Sequence, residues 1–303
     1  MDRTGFQWHS VWGRRVVIVP LAAVAVCVAM VRSESAAVQA VDASTAAWSP
    51  DSRQLVFQST RSGGPELWIG EVATGAVRRL TSGDAAPIMP AWSRDGRSIA
   101  FAGKSAGGRH LFAIDVDGGR LRQITAAEGE YEGWPSWSSE GSIAFNAGPS
   151  PSRRAITVIG PDGSGRTTLP PSGAVDNCPS WSPDSRRIAF ESNRDGNYEI
   201  YVMNADGSAP LRLTNTAADE FHPSWSPDGA RLVFQSTRDG NHEIYVMTAT
   251  GASPVRLTDN SSGDFQPSWS PNGDWIAFTS DRLGRLQIYL IRPDGSNERR
   301  LDL

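Results

Sequence analysis

Residues Pro179 to His222 read PSWSPDSRRIAFESNRDGNYEIYVMNADGSAPLRLTNTAADEFH, and the next stretch, Pro223 to Gln266, reads PSWSPDGARLVFQSTRDGNHEIYVMTATGASPVRLTDNSSGDFQ. One unit of 44 residues is written twice, and each copy parses into four short strands. The first strand carries the Trp (Pro179 to Ser182) and enters the tight turn Pro183-Asp184-Ser185, where Pro presets φ and an Asp side chain can bond its own backbone. The second, Arg187 to Ser192, alternates with the strand period of two and ends at the turn Arg194-Asp195-Gly196-Asn197. Glu199 to Met203 forms the third, closed by Asp206-Gly207, and Leu211 to Thr214 the fourth. Four strands of about 4 to 6 residues joined by hairpins make one propeller blade.

Outward from this pair, the same Trp-Ser dipeptide stands at Trp48, Trp92, Trp137, Trp181, Trp225 and Trp269, with spacings of 44, 45, 44, 44 and 44. Such a period is the signature of a repeat architecture. The repeats begin near residues 46, 90, 135, 179, 223 and 267, and residues 41–303 number 263 against the 264 that six units need, so no second domain is expected beside them. The fold class that follows is all-β, a six-bladed β-propeller of four-stranded antiparallel blades. A lone meander cannot bury both faces, so blades stack and the repeated Trp is expected to fill the gap between neighbours. The third copy has Thr157 where the others place Trp68, Phe112, Tyr201, Tyr245 and Tyr289, which predicts the least well packed blade. Leu301-Asp302-Leu303 matches the end of a fourth strand. Ring closure is therefore expected to rest on packing between blades one and six, unless residues 41–44 add an edge strand.

Ahead of the repeats, Arg14 and Arg15 precede an apolar run from Val16 to Val31, followed by polar residues and Ala36-Ala37-Val38-Gln39-Ala40. This is the layout of a secretory signal, with cleavage expected after Ala40. A retained anchor is the competing reading, in which residues 16–31 contact the membrane, although sixteen apolar residues fall short of the ~18 to 20 that span a bilayer. Residues 1–40 are thus a signal peptide or signal anchor, residues 41–303 the propeller, and the body periplasmic or secreted under either reading. The net charge of −4 becomes −6 without residues 1–40, which speaks against nucleic acid as a partner. Cys27 lies in the apolar run, leaving Cys178 as a single thiol in the body and no internal disulfide.

The WSPDG turn followed by IAF, RDGN, EIY and DG resembles the repeat of the TolB-type propellers over essentially the whole body. TolB itself is a periplasmic component of the Tol-Pal envelope system and carries an α/β domain ahead of its propeller, for which the few residues between Ala40 and the first blade leave no room. Similar repeats form the gating propellers of prolyl-oligopeptidase-like and tricorn-like peptidases. The Gly-x-Ser-x-Gly elbow of a peptidase half is absent from this sequence. The resemblance implies an interaction module in the cell envelope that binds a protein or peptide.

On a propeller, the loops entering each innermost strand and those joining strands two and three surround the channel. Glu132, Asp176, Glu220 and Asp264 fall in the first set, and Arg194, Asp195, Arg238, Asp239, Asp281 and Arg282 in the second. These residues are the candidate partner-binding mouth, a charged ring that steers and docks a protein or peptide. The competing account has the acids capping turns or pairing with the arginines across blades. His110, His222 and His242 map to the same loops, and Cys178, His222 and Gln266 occupy one repeat position in three successive blades. They compose an alternative metal site, for a metal-dependent carbohydrate or lactone enzyme using the channel, although no strong ligand spacing is present. Glycine-rich turns without a following helix give no phosphate site. The reading is of a non-enzymatic module without a cofactor.

Overall fold

The computed structural model describes residues 43–303. The apolar run at 16–31, Cys27 and the cleavage point after Ala40 lie outside the described residues. Every described element is a strand. Blade 1 comprises β1 (Ser44–Trp48), β2 (Gln54–Ser59), β3 (Glu66–Glu71) and β4 (Val77–Arg79), and blade 2 comprises β5 (Ile88–Trp92), β6 (Ser98–Ser105), β7 (Gly108–Asp115) and β8 (Arg122–Gln123). Blade 3 holds β9 (Tyr131–Trp137), β10 (Ile143–Ser150), β11 (Arg153–Ile159) and β12 (Thr167–Thr168); blade 4 holds β13 (Asp176–Trp181), β14 (Arg187–Ser192), β15 (Glu199–Asn204) and β16 (Leu211–Arg212). Blade 5 is β17 (Glu220–Trp225), β18 (Arg231–Ser236), β19 (Glu243–Thr248) and β20 (Val255–Arg256), and blade 6 is β21 (Asp264–Trp269), β22 (Ile276–Ser280), β23 (Gln287–Ile291) and β24 (Arg299–Arg300). Within each blade the strands pair in chain order, all antiparallel. Two parallel bridges, Arg109 with Tyr131 and Arg154 with Val175, additionally tie blade 2 to blade 3 and blade 3 to blade 4.

The hydrophobic cores lie between blades. Trp92, Ile99 and Phe101 of blade 2 pack on Val56, Leu67 and Ile69 of blade 1, and Trp181, Ile188 and Phe190 of blade 4 pack on Ala144, Ile156 and Leu169 of blade 3. Each of the six interfaces contains one repeat Trp and one Phe of a second strand, the Phe being among the largest fully buried side chains. The indole N–H of Trp48, Trp137 and Trp225 donates to a backbone carbonyl of the preceding blade at 3.0, 3.2 and 3.1 Å. At these three the buried N–H keeps a partner, whereas the indole nitrogens of Trp92 and Trp181 are buried without one. At the expected weak point, Thr157 is buried and its hydroxyl meets that of Thr168 at 3.2 Å. Met89, Ala147 and Trp134 join the core in front of blade 3, so the missing aromatic leaves no thin interface.

The ring closes by packing. Trp48, Leu55 and Phe57 of blade 1 meet Ala277, Ile288 and Leu290 of blade 6, and the Ala43 amide donates to the Leu286 carbonyl at 3.1 Å. β1 is the innermost strand of blade 1 and β24 the outermost of blade 6, so no blade is assembled from both ends of the propeller.

The Trp-Ser-Pro-Asp signature builds the turn after each inner strand. In blade 4 the Ser182 hydroxyl donates to Asp184 Oδ1 at 2.6 Å and accepts the Arg187 amide, while Asp184 Oδ1 accepts the Arg186 amide. Four turns repeat this with Asp51, Asp95, Asp184 and Asp228, and the serine hydroxyl holds each of these carboxyls below the usual range. Blade 6 uses Asn272 in the same place.

Candidate functional site

Every inner strand carries a one-residue bulge. In blade 4 the register passes from Asn177 opposite Glu191 to Ser180 opposite Ala189, so Cys178 and Pro179 lie in the extra segment. The residue opening each bulge is left-handed: Thr45, Met89, Trp134, Cys178, His222 and Gln266 have φ between 49° and 55°. For a non-glycine residue that conformation costs about 1–2 kcal/mol, so something must hold it in place. At three of the six the preceding blade supplies the hold. The His222 amide donates to Glu191 Oε2 at 2.8 Å, the Gln266 amide to Gln235 Oε1 at 3.0 Å, and the Thr45 amide to Thr279 Oγ1 at 3.2 Å. A bulge of this kind re-aims a side chain. Five of the six, all but Met89, line a central cavity of about 230 Å³ that extends past the tryptophans to the prolines of the first turns.

Cys178, Glu191 and His222 come together at this level. Each offers a ligand-type atom, and the atoms lie within 4.8 Å of one another. All three are buried, and Cys178 is in no disulfide. His222 Nδ1 stands 3.9 Å from Glu191 Oε2, and neither ring nitrogen has a hydrogen-bond partner. Glu191 Oε1 accepts the Asn177 side-chain amide at 2.9 Å. Burial pushes the Glu191 carboxyl up to about 7 against these hydrogen bonds, and burial pushes the His222 ring down to about 3. The Trp134 ring lies edge-on to His222, centroids 4.5 Å apart. Of the residues expected to share a metal, Cys178 and His222 do converge, whereas Gln266 turns to Thr45, whose hydroxyl it accepts at 3.1 Å. Glu191 takes its place. Its signal in the sequence is a charge inside the strand-two pattern, where the other blades have Gln58, Ala102, Asn146, Gln235 and Thr279.

The other two histidines offer no ligand atom to this group, although His242 lies near enough to add to the lowering of His222, and the Phe221 ring lies 6.4 and 6.2 Å from the imidazoles of His222 and His242. His110, buried on β7, has Nδ1 3.5 Å from Glu132, and His242 Nδ1 meets Gln235 Nε2 at 2.7 Å.

At the mouth where the inner strands begin, Glu132, Asp176, Glu220 and Asp264 are buried. Each meets an arginine of its own blade: Glu132 with Arg166 at 2.7 Å, Asp176 with Arg194 at 2.8 Å, Glu220 with Arg238 at 2.9 Å and Asp264 with Arg282 at 3.1 Å. The guanidiniums stay partly exposed, 21% for Arg194 against 4% for its partner, and lie over rings of strands two and three. Asp195 and Asp239 stand at the exposed turn tips, take hydroxyl bonds from Tyr201 and Tyr245, and lie 3.3 Å from Arg212 and Arg256. The acids are thus withdrawn into blades, and the arginines face outward. Burial pushes the Glu220 carboxyl up to about 7 against the pull of Arg238.

Blades 2 and 3 depart from this pattern. Lys104 is cross-strand from Arg109, and Arg109 pairs with Tyr131 of the next blade. Arg154, on β11, lies close enough to Arg109 to lower its pKa beyond the effect of burial. Among the described residues neither arginine has a carboxylate ion-pair partner, and Arg154 Nε is buried without a hydrogen bond.

The sequence model for the TolB beta propeller domain matches residues 23–172, 168–242 and 214–303. No curated protein matches the chain. Among solved structures, TolB from Acinetobacter baumannii superposes with a TM-score of 0.70 at 21% identity, covering 84% of this chain and 62% of TolB. The tricorn protease gives 0.69 at 15% identity over 86% of this chain and 26% of the protease. Oligogalacturonate lyase in complex with manganese gives 0.61 at 15% identity, covering 86% of this chain and 77% of the lyase. At these identities the likeness is one of fold, and the chain spans about 62% of the length of the Acinetobacter protein. Six blades with this turn chemistry, and family matches that together run from residue 23 to residue 303, make the chain a member of the TolB beta propeller domain family.

Proposed function

We propose that this chain is an exported interaction module that docks a protein or peptide of the cell envelope at the charged mouth where its inner strands begin. The observation that carries the reading is the pair Arg109 and Arg154, close enough for one guanidinium to act on the other, with no ion pair to a carboxylate among the described residues and only the buried Glu191 opposing the charge of Arg154 from further off. In blades 3 to 6 the mouth arginines Arg166, Arg194, Arg238 and Arg282 are each balanced by a buried acid. Like charge that is only partly compensated is costly, and an anionic group on a partner relieves it. Glu132, Asp176, Glu220 and Asp264 then act by fixing Arg166, Arg194, Arg238 and Arg282 around the rim, with Asp195 and Asp239 at its edge. A periplasmic or secreted location fits the N-terminal segment and family membership.

The test is cross-linking capture from envelope extracts with the wild type and an Arg109→Glu, Arg154→Glu double variant of equal thermal stability. A partner held by the wild type at low salt and lost in the variant supports docking. Identical captures from both proteins would sink it. A second reading, a metal-dependent carbohydrate or lactone enzyme, is favoured by the group Cys178, Glu191 and His222. Turnover of such substrates that Glu191→Gln abolishes would support it.

A further inference from the structure

We propose that Cys178, Glu191 and His222 form a binding site for a borderline divalent cation of the zinc class, at the channel seam between blades 4 and 5. The inference stands on geometry and holds whether the mouth docks a protein or the channel catalyses a reaction. Three donors of different kinds, sulfur, oxygen and nitrogen, already lie within 4.8 Å of one another, and about an ångström of contraction brings them to coordination distances near 2.0–2.3 Å. Each donor belongs to a strand with its own anchor. Cys178 opens the bulge of β13, Glu191 sits on the paired strand β14, and His222 opens the bulge of β17.

The independent sign is His222. It is 7% exposed, and both ring nitrogens lack a hydrogen-bond partner. A buried imidazole normally satisfies at least one nitrogen, and an unsatisfied one costs about 1–3 kcal/mol. A cation supplies the missing partner. Glu191 is oriented as an outer shell would orient a ligand: Asn177 holds Oε1 at 2.9 Å and the His222 amide holds Oε2 at 2.8 Å. Trp134 covers the imidazole from the third blade at 4.5 Å. Thiolate and imidazole select zinc-like metals over magnesium, calcium and manganese, which prefer oxygen donors. On binding, the Cys178 thiol gives its proton to solvent as the metal–sulfur bond forms, leaving at least one coordination position facing the channel.

Zinc and cobalt binding to the purified protein, measured by equilibrium dialysis and by absorption, tests this. One equivalent is expected, with a thiolate-to-cobalt charge-transfer band in the near ultraviolet and a raised melting temperature, because the metal bridges two blades. Cys178→Ser should abolish the band. His222→Gln should weaken zinc at least 10- to 100-fold, the scale on which even outer-shell partners act. Gln266→Ala should leave the affinity unchanged. Circular dichroism of each variant separates loss of the site from loss of the fold. A folded wild type that takes up no cobalt, or a folded His222→Gln that binds zinc as the wild type does, overturns the proposal. Binding without turnover of any sugar or lactone would leave the site standing and remove the enzyme reading alone.

Discussion

At the scale of single residues, the chain shows how a charged side chain is made acceptable inside a β-fold. Glu220 is buried at the start of β17, bonded to Thr216, Ser236 and Arg238. Its carboxyl is raised to about 7 by burial, so the folded state holds the proton more tightly than the unfolded chain, whose value is near 4.5. Its contribution to stability is therefore complete below about pH 4.5 and is lost as the pH rises through 7. Urea melts of the wild type and Glu220→Gln across this window should show the variant losing less stability with rising pH. Parallel curves would show that Arg238 already compensates the charge. The presence of these acids was legible in the sequence, but their depth was not. Aspartate or glutamate just before a strand reads equally well as an exposed loop or as a buried clasp. Only the arginine one turn further on, stacked on the Phe and Tyr of strands two and three, decides between them.

At the scale of elements, the turn after each inner strand is the most economical device in the molecule. One Asp and one Ser satisfy the backbone amides of two residues, and the natural use of Asn272 in blade 6 identifies the acceptor oxygen, not the charge, as the requirement. Asp184→Ala should therefore destabilise by about 1–2 kcal/mol, while Asp184→Asn should stay within a few tenths of the wild type. Denaturant unfolding of the two variants checks this, and equal losses would assign the turn's role to charge. The four-strand unit was readable because period-two alternation and turn residues are local properties. The bulge was not. Cys178-Pro179 and His222-Pro223 read as extended segments, since a residue before proline favours the β region. At His222 the left-handed backbone that turns the side chain to the channel is held by a hydrogen bond across blades. Glu191 escaped for the same reason, because its role depends on a strand 31 residues further along the chain.

For the whole molecule, the consequential fact is that the cores lie between blades and the sixth interface joins the two ends of the propeller without a shared sheet. Six interfaces of similar composition must each persist for the ring to stay closed. Trp→Ala at any of them should remove about 3–5 kcal/mol. Trp48→Ala and Trp225→Ala create similar cavities, but only the first lies at the seam where no covalent connection spans the gap. Hydrogen-exchange mass spectrometry should show Trp48→Ala accelerating exchange in β1 and β21 together before the remaining blades, whereas Trp225→Ala should unfold the ring as a unit. Identical exchange patterns would mean that the seam is no weaker than its neighbours. The blade count and the unshared closure follow from the spacing of the tryptophans and the match at Leu301 to Leu303. What the channel binds does not, because repeats encode what the copies have in common.

The six left-handed positions have an evolutionary consequence. Where their shape is imposed by the amide and by the adjoining blade, as at Thr45, His222 and Gln266, the side chain is released from any duty to the architecture. Thr, Trp, Cys, His and Gln line the channel from five of the six places in a single backbone conformation, while the Met in the sixth packs into the core. The channel behaves as a turret of interchangeable tools. New chemistry is acquired by exchanging one of them, while the six packed seams that hold the turret together stay as they are.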